Sequence, residues 1–244
     1  MLRVDGYCTI GLVGDEEDSP DELLRRLDRC GIEAAVIAPP PRCLAWSNEA
    51  GNDAVLGAAA AHPDRFIPAV TANPWRPDAA NLVAACLRRG GRMLALDPAA
   101  QGFNPAEGHA DAILRTLLDG GLIVPVYVHT GHHSHGAPSQ LALLARRFPR
   151  IPFIMGHSGA SDYANDVAPA CALAANLFME SSFARPPGFI ARAAAIGFDR
   201  AIMGSGHPYN DMAFEWSFME RLLAAEHRPA VLGGNLLRLL EGRL

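Results

Sequence analysis

From end to end, the chain alternates short β-rich runs with amphipathic stretches rich in Ala, Leu and Arg, and no other property of its 244 residues constrains the fold as tightly. Eight strand candidates stand out, at residues 4–10, 34–38, 66–70, 93–96, 123–129, 153–157, 177–180 and 201–204. A helical stretch follows each one. Strand–helix units of this kind connect right-handedly, and eight of them close into a (β/α)8 barrel, for which about 250 residues is typical. An open doubly wound sheet is the alternative. It would carry a G-x-G-x-x-G turn after the first strand, and Gly6-Tyr7-Cys8-Thr9-Ile10-Gly11 lacks that spacing. With no low-complexity linker and no shift of composition, residues 1–244 are expected to form one α/β barrel domain.

Local punctuation agrees with the alternation. Ser19-Pro20-Asp21-Glu22 offers a capping hydroxyl, a proline in the first turn and two acids near the positive end of a helix, which Cys30-Gly31 would then close. Gly90-Gly91, Gly120-Gly121 and Gly197 stand before later strands, where a helix must end in a left-handed residue.

Composition excludes several classes of function. Half of the residues are hydrophobic and 19% are charged, with a net charge of −5, which leaves no basic footprint for nucleic acid. No run of 18 apolar residues could span a bilayer. Asp5 comes too early for a secretory signal, so a cytoplasmic location is the expectation. The five cysteines form no C-x-x-C pair, and their odd number argues for buried thiols rather than a disulfide framework. The chain contains no lysine, which removes Schiff-base chemistry and a carbamylated lysine bridging two metals.

A barrel of this kind builds its site where strands open into loops. His129 and His157 each close a strand candidate and are followed closely by glycine, which favours site lining over burial in the core. As imidazoles they could serve as general acid and base. The same rim would hold Tyr7 and Thr9, Asp97, Glu180 and His207. Strand alternation puts Asp5, Tyr7 and Thr9 on one face and Cys8 on the other. Asp97 could bind substrate or cap the next segment. Glu180 could activate water, orient His157 or pair with a rim arginine. Tyr7 could donate to a substrate carbonyl or fill a void, and Asp5, near the strand start, would anchor the barrel floor.

Several motifs, ordered along nearly the whole chain, carry a family likeness: Asn52-Asp53, His62-Pro63-Asp64-Arg65-Phe66, Gln101-Gly102-Phe103, Val128-His129-Thr130-Gly131, Gly156-His157-Ser158-Gly159, Gly204-Ser205 with Pro208, and Leu232-Gly233-Gly234-Asn235. In these the chain resembles the amidohydrolase-related family, metal-dependent hydrolases and decarboxylases whose relatives include aminocarboxymuconate-semialdehyde decarboxylase. The resemblance implies one divalent metal, usually zinc, held by two histidines of a first-strand Asp-x-His-x-His, a fifth-strand histidine and an eighth-strand aspartate. This chain keeps only His129 of those four ligands: Tyr7 and Thr9 stand where the first-strand histidines belong, and Gly206 where the aspartate belongs. His157 matches the sixth-strand histidine that orients or protonates the reacting group.

One ligand does not hold zinc, and hydroxyls are poor partners for it. The sequence therefore predicts no resident cofactor, with a relocated divalent metal on His129, His133 and His207 as the lesser alternative. The loop His129-Thr130-Gly131-His132-His133-Ser134-His135 reads as a cover over the mouth, whose histidines, His132 among them, would bond substrate or simply face water. The expected function is hydrolysis, decarboxylation or an acid/base rearrangement of a small carbonyl- or carboxylate-bearing molecule, with His129, His157, Asp97 and Glu180 as catalytic groups and Tyr7, Thr9, His132 and His207 binding substrate. The alternative is a non-catalytic ligand-binding or scaffolding descendant. The resemblance also allows a homodimer.

Overall fold

A computed structural model describes residues 2–14, 16–132 and 134–242. Ten strands follow one another: β1 (Val4–Thr9), β2 (Gly11–Val13), β3 (Glu16–Asp18), β4 (Ala34–Ala38), β5 (Phe66–Val70), β6 (Met93–Leu96), β7 (Val126–His129), β8 (Phe153–Gly156), β9 (Leu177–Glu180) and β10 (Ala201–Ile202). Eight of them, β1 and β4 to β10, form a parallel sheet in sequence order. Past Ile202 the chain runs on beside β1, where Gly6 N–H donates to Met203 O at 2.8 Å, Gly206 N–H to Tyr7 O at 3.1 Å and Thr9 N–H to His207 O at 2.8 Å. These bonds join the last strand to the first and complete the (β/α)8 barrel.

The first helix begins and ends as its sequence predicts. Glu22 N–H donates to Ser19 Oγ at 3.2 Å, and Gly31 closes the helix in the left-handed region at φ 62°. Between β1 and this helix lies a two-stranded antiparallel hairpin, β2–β3, that the hydrophobic pattern did not announce.

Side chains divide into two apolar layers. Cys8, Ile37, Leu94, Val128 and Met155 point outward and pack against the surrounding helices. Val4, Tyr7, Val36, Met93, Tyr127, Ile154 and Phe178 point inward, and the final helix, Asn235–Leu240, closes the floor with Leu236 and Leu239. At about 25 cal/mol per Å² of apolar surface buried, this double layer is the main favourable contribution to the fold. The five cysteines are free thiols, three of them buried.

The alternation expected for β1 is broken. Tyr7 points into the barrel and Cys8 outward as predicted, but the pairing with β4 shifts register between Asp5 and Cys8. A bulge inserts one residue and reverses the faces before it. Asp5 therefore turns to the helix layer, accepting from Trp216 Nε1 at 2.8 Å and from Ser205 N at 2.9 Å, so that it ties β1 to the end of the last strand.

Candidate active site

At the C-terminal ends of the strands lies a cavity of about 530 Å³. Leu44, Ala99, Ala100, Ala160 and Phe183 give it apolar walls, and Tyr7, Thr9, Asp97, His129, His132, His157 and Tyr209 its polar groups.

Its floor is a hydrogen-bonded chain. Tyr7 Oη lies 2.8 Å from His129 Nε2, His129 Nδ1 lies 2.8 Å from His157 Nε2, and His157 Nδ1 lies 2.7 Å from Ser182 Oγ. Ser182 donates onward to Glu180 Oε2 at 2.6 Å. Glu180 is fully buried below the cavity and receives three more donors: Tyr127 Oη at 2.8 Å, His157 N at 3.1 Å and Ser182 N at 2.6 Å. Four donors and no acceptor suit a carboxylate. Burial pushes its pKa above the ordinary value, while these bonds hold it back.

The strands account for these positions. Tyr127 and His129 are two residues apart on β7, hence on one face, and both face inward. The Tyr127 ring lies stacked on Tyr7, with centroids 4.2 Å apart and planes at 15°. Gly156 and Gly204 make room for the chain, since a Cβ on the first would collide with the Tyr127 ring and one on the second with the Glu180 carboxylate. Beyond Gly156 the backbone is strained. His157 and Ser158 take φ of 63° and 40°, in the left-handed region that non-glycine residues avoid. Ser158 Oγ holds the turn by donating to Glu180 O at 2.6 Å.

Electrostatics keep the chain neutral above Glu180. Burial lowers the pKa of His129, an effect partly opposed by the charge of Asp97. Burial also lowers that of His157, well below the usual imidazole value, with further lowering by His129 and His132. Burial raises the Tyr7 phenol well above its ordinary value, and Asp97 raises it further. Both imidazoles are therefore neutral at pH 7, and Tyr7 keeps its proton.

The remaining sequence candidates separate. Asp97 caps the short helix Pro98–Gln101, accepting from Ala99 N and Ala100 N at 3.1 Å each, and also lines the cavity. Thr9 and His132 line the cavity as well. Glu180 lies beneath the cavity and meets Tyr127, Ser182 and the His157 backbone instead of a rim arginine. His207 points away: its Nε2 lies 3.0 Å from Asp18 Oδ2 of the hairpin, and the residue lines a separate cavity. His133 lies outside the described residues. Tyr127 and Ser182 were not singled out from the sequence. Strand period alone marks both, Tyr127 two residues before His129 and Ser182 two residues after Glu180.

Comparison with known proteins supplies a family. A family model described as amidohydrolase matches residues 40–241. Among curated proteins, no sequence matches the chain significantly. Solved structures do match. 5-Carboxyvanillate decarboxylase from Novosphingobium aromaticivorans, complexed with manganese and 4-hydroxy-3-methoxy-5-nitrobenzoic acid, superposes with a TM-score of 0.80 at 16% identity, covering 98% of this chain and 96% of that one. For 2,6-dihydroxybenzoate decarboxylase from Rhizobium the figures are 0.75 and 16%, covering 98% of each chain. A probable 2-pyrone-4,6-dicarboxylic acid hydrolase from Acinetobacter baumannii, with citric acid bound, gives 0.72 and 16%, covering 99% and 100%.

The manganese complex overturns the expectation that no cofactor is involved, because it points to a divalent cation as the cofactor in barrels of this kind. The residues at the first-strand position do not form a socket for one. Both ring nitrogens of His129 are engaged, by Tyr7 and by His157, and among the described residues no group of three or more His, Cys, Asp or Glu side chains could hold a metal ion. The lesser alternative of a site on His129, His133 and His207 also loses His207, which is paired with Asp18.

Proposed function

The chain belongs to the amidohydrolase family, and from this we infer an enzyme that performs acid/base chemistry on a small carboxylate-bearing molecule held in the barrel mouth. The observation that carries the reading is the contact between two neutral imidazoles, His129 and His157, at the floor of the cavity. Paired imidazoles joined to a phenol can pass a proton without placing a charge in the buried site. Substrates of the similar structures support the carboxylate: the named decarboxylases act on aromatic hydroxy acids, and the hydrolase on a dicarboxylic acid. Decarboxylation and hydrolysis share the need for a group that holds and then releases a proton.

In this reading His129 and His157 are the catalytic pair. Thr9 and His132 bind the substrate's polar groups, and Asp97 sets the charge at the rim. The apolar walls, Leu44 and Phe183 among them, fit a flat hydrocarbon body.

The test is a panel of aromatic and dicarboxylic acids assayed for release of carbon dioxide and for hydrolysis, with added manganese and after chelation. On any acid turned over, His129→Gln and His157→Asn are each expected to lose about 10²- to 10⁴-fold in kcat. Asparagine is chosen at 157 because it tolerates the left-handed backbone found there. Full activity in both variants, with the fold intact by circular dichroism, would overturn the reading.

A further inference from the structure

We propose that Tyr7 is the group that takes a proton from the substrate, that His129, His157 and Ser182 pass the equivalent of that proton to Glu180, and that the substrate is therefore one presenting an ionisable hydroxyl to Tyr7. This rests on the reading of the mouth as an acid/base site and adds the direction of transfer and the class of group it acts on.

The direction follows from Glu180. Its carboxylate can only accept, so Ser182 must donate to it. Ser182 has then spent its one proton and must accept from His157 Nδ1–H. His157 is neutral, so its Nε2 is bare and accepts from His129 Nδ1–H. His129 Nε2 is bare in turn and accepts from Tyr7. Every proton in the chain points down, from the cavity toward Glu180. Tyr7, its own proton committed to His129, meets the cavity as an acceptor.

A substrate hydroxyl that donates to Tyr7 Oη completes the chain. Its proton passes to Tyr7, the Tyr7 proton to His129 Nε2, the His129 Nδ1 proton to His157 Nε2, the His157 Nδ1 proton to Ser182 Oγ, and the Ser182 proton to Glu180 Oε2. Five O–H or N–H bonds break and five form, and no electrons change hands. Each histidine exchanges one neutral tautomer for the other, and the single negative charge moves from Glu180 to the substrate oxygen. Tyr7 now carries a proton directed at that oxyanion and stabilises it. The return of the proton restores the starting state. Burial supports this course, because it makes imidazolium costly and makes Glu180 a better proton acceptor. Ser182 and Glu180 act through the histidines and are positioning residues, whereas Tyr7 is catalytic.

Ring nitrogen NMR on the uniformly ¹⁵N-labelled protein tests the direction without a substrate. At neutral pH both His129 and His157 are expected as single tautomers, with the proton on Nδ1 and Nε2 bare. Tyr7→Phe should leave both unchanged, because the order is set from the Glu180 end. Ser182→Ala should release it, giving mixed tautomers at both rings. A proton on Nε2 of either histidine in the unaltered protein, or a Tyr7→Phe variant that scrambles the rings as Ser182→Ala does, would overturn the relay. For the substrate class, any acid found active in the panel is paired with its O-methyl ether, which should lose turnover at least about 10²-fold, the size of one general-base contribution. Equal turnover of the ether would overturn the assignment to Tyr7. Failure in the panel with the expected tautomers would remove the enzyme reading and leave the relay; the wrong tautomers with histidine-dependent turnover would do the reverse.

Discussion

Asp97 carries two functions that one atom change separates. Its Oδ1 accepts both free N–H groups at the start of the helix Pro98–Gln101, while the residue also lines the cavity. Asp97→Asn keeps a capping oxygen and removes the charge. Thermal unfolding is expected within about 0.5 kcal/mol of the parent, with the activity and its pH profile altered because His129 loses a nearby anion. Asp97→Ala should cost about 0.5–2 kcal/mol in addition. A stability loss in the asparagine variant equal to that in alanine would show that the charge itself holds the helix. Gly156 gives a second case. A methyl group there meets the Tyr127 ring in a closely packed interior, so Gly156→Ala is expected to destabilise by about 1–3 kcal/mol or more. Denaturant unfolding measures it, and an unchanged midpoint would mean that the two stacked tyrosines can shift. The sequence showed glycine beside His157 and made that histidine a site candidate, but it could not show that the space is needed by a tyrosine on the neighbouring strand.

Among the elements, six strands of the barrel were closely legible, because each is a short, mostly apolar run set between helical stretches. Four of these, β4, β5, β6 and β9, have the bounds read from the pattern. β7 begins at Val126, three residues later than its apolar run begins, since Pro125 has no N–H for the ladder. β10 pairs over only Ala201–Ile202, because the chain then leaves β9 to meet β1. The hydrophobic pattern does not mark the hairpin, whose strands are three residues each, one of them Glu16–Asp18. Nor does it mark the bulge in β1, since that changes the period without changing composition. One buried contact between the hairpin and the barrel is that of Asp18 with His207. Asp18→Ala leaves that imidazole without its partner and is expected to cost about 1–3 kcal/mol. Limited proteolysis should then cut first between residues 10 and 19. Cleavage elsewhere, with the hairpin still protected, would assign its attachment to other contacts.

At the scale of the whole molecule, the buried histidines tie folding to pH. An unfolded chain takes up a proton on each near the ordinary value of 6.5, whereas in the fold both pKa values are lower. Their contribution is therefore complete above about pH 6.5 and is lost as the pH falls below it, by up to about 1.4 kcal/mol per pH unit for each group. Asp5 and Glu180 act in the other sense, since burial raises both and the folded state holds their protons more tightly. Their cost relaxes as the pH drops toward the ordinary values, 3.8 for Asp5 and 4.5 for Glu180. Unfolding free energies are thus expected to decline as the pH falls below about 6.5, with a shallower decline in His157→Asn. A variant as steep as the parent would remove His157 from the account. No helix among the described residues is long and apolar enough to cross a membrane.

If His157 carries the proposed acid/base chemistry, its left-handed backbone sets the molecule's durability against that chemistry. Glycine or asparagine would sit there with less strain, by an amount on the order of 1–3 kcal/mol, and neither carries an imidazole. A library of variants screened for heat resistance alone should drift toward those residues at 157 and yield a sturdier, inert barrel. The same library screened for turnover should keep the histidine and gather its stabilising changes elsewhere.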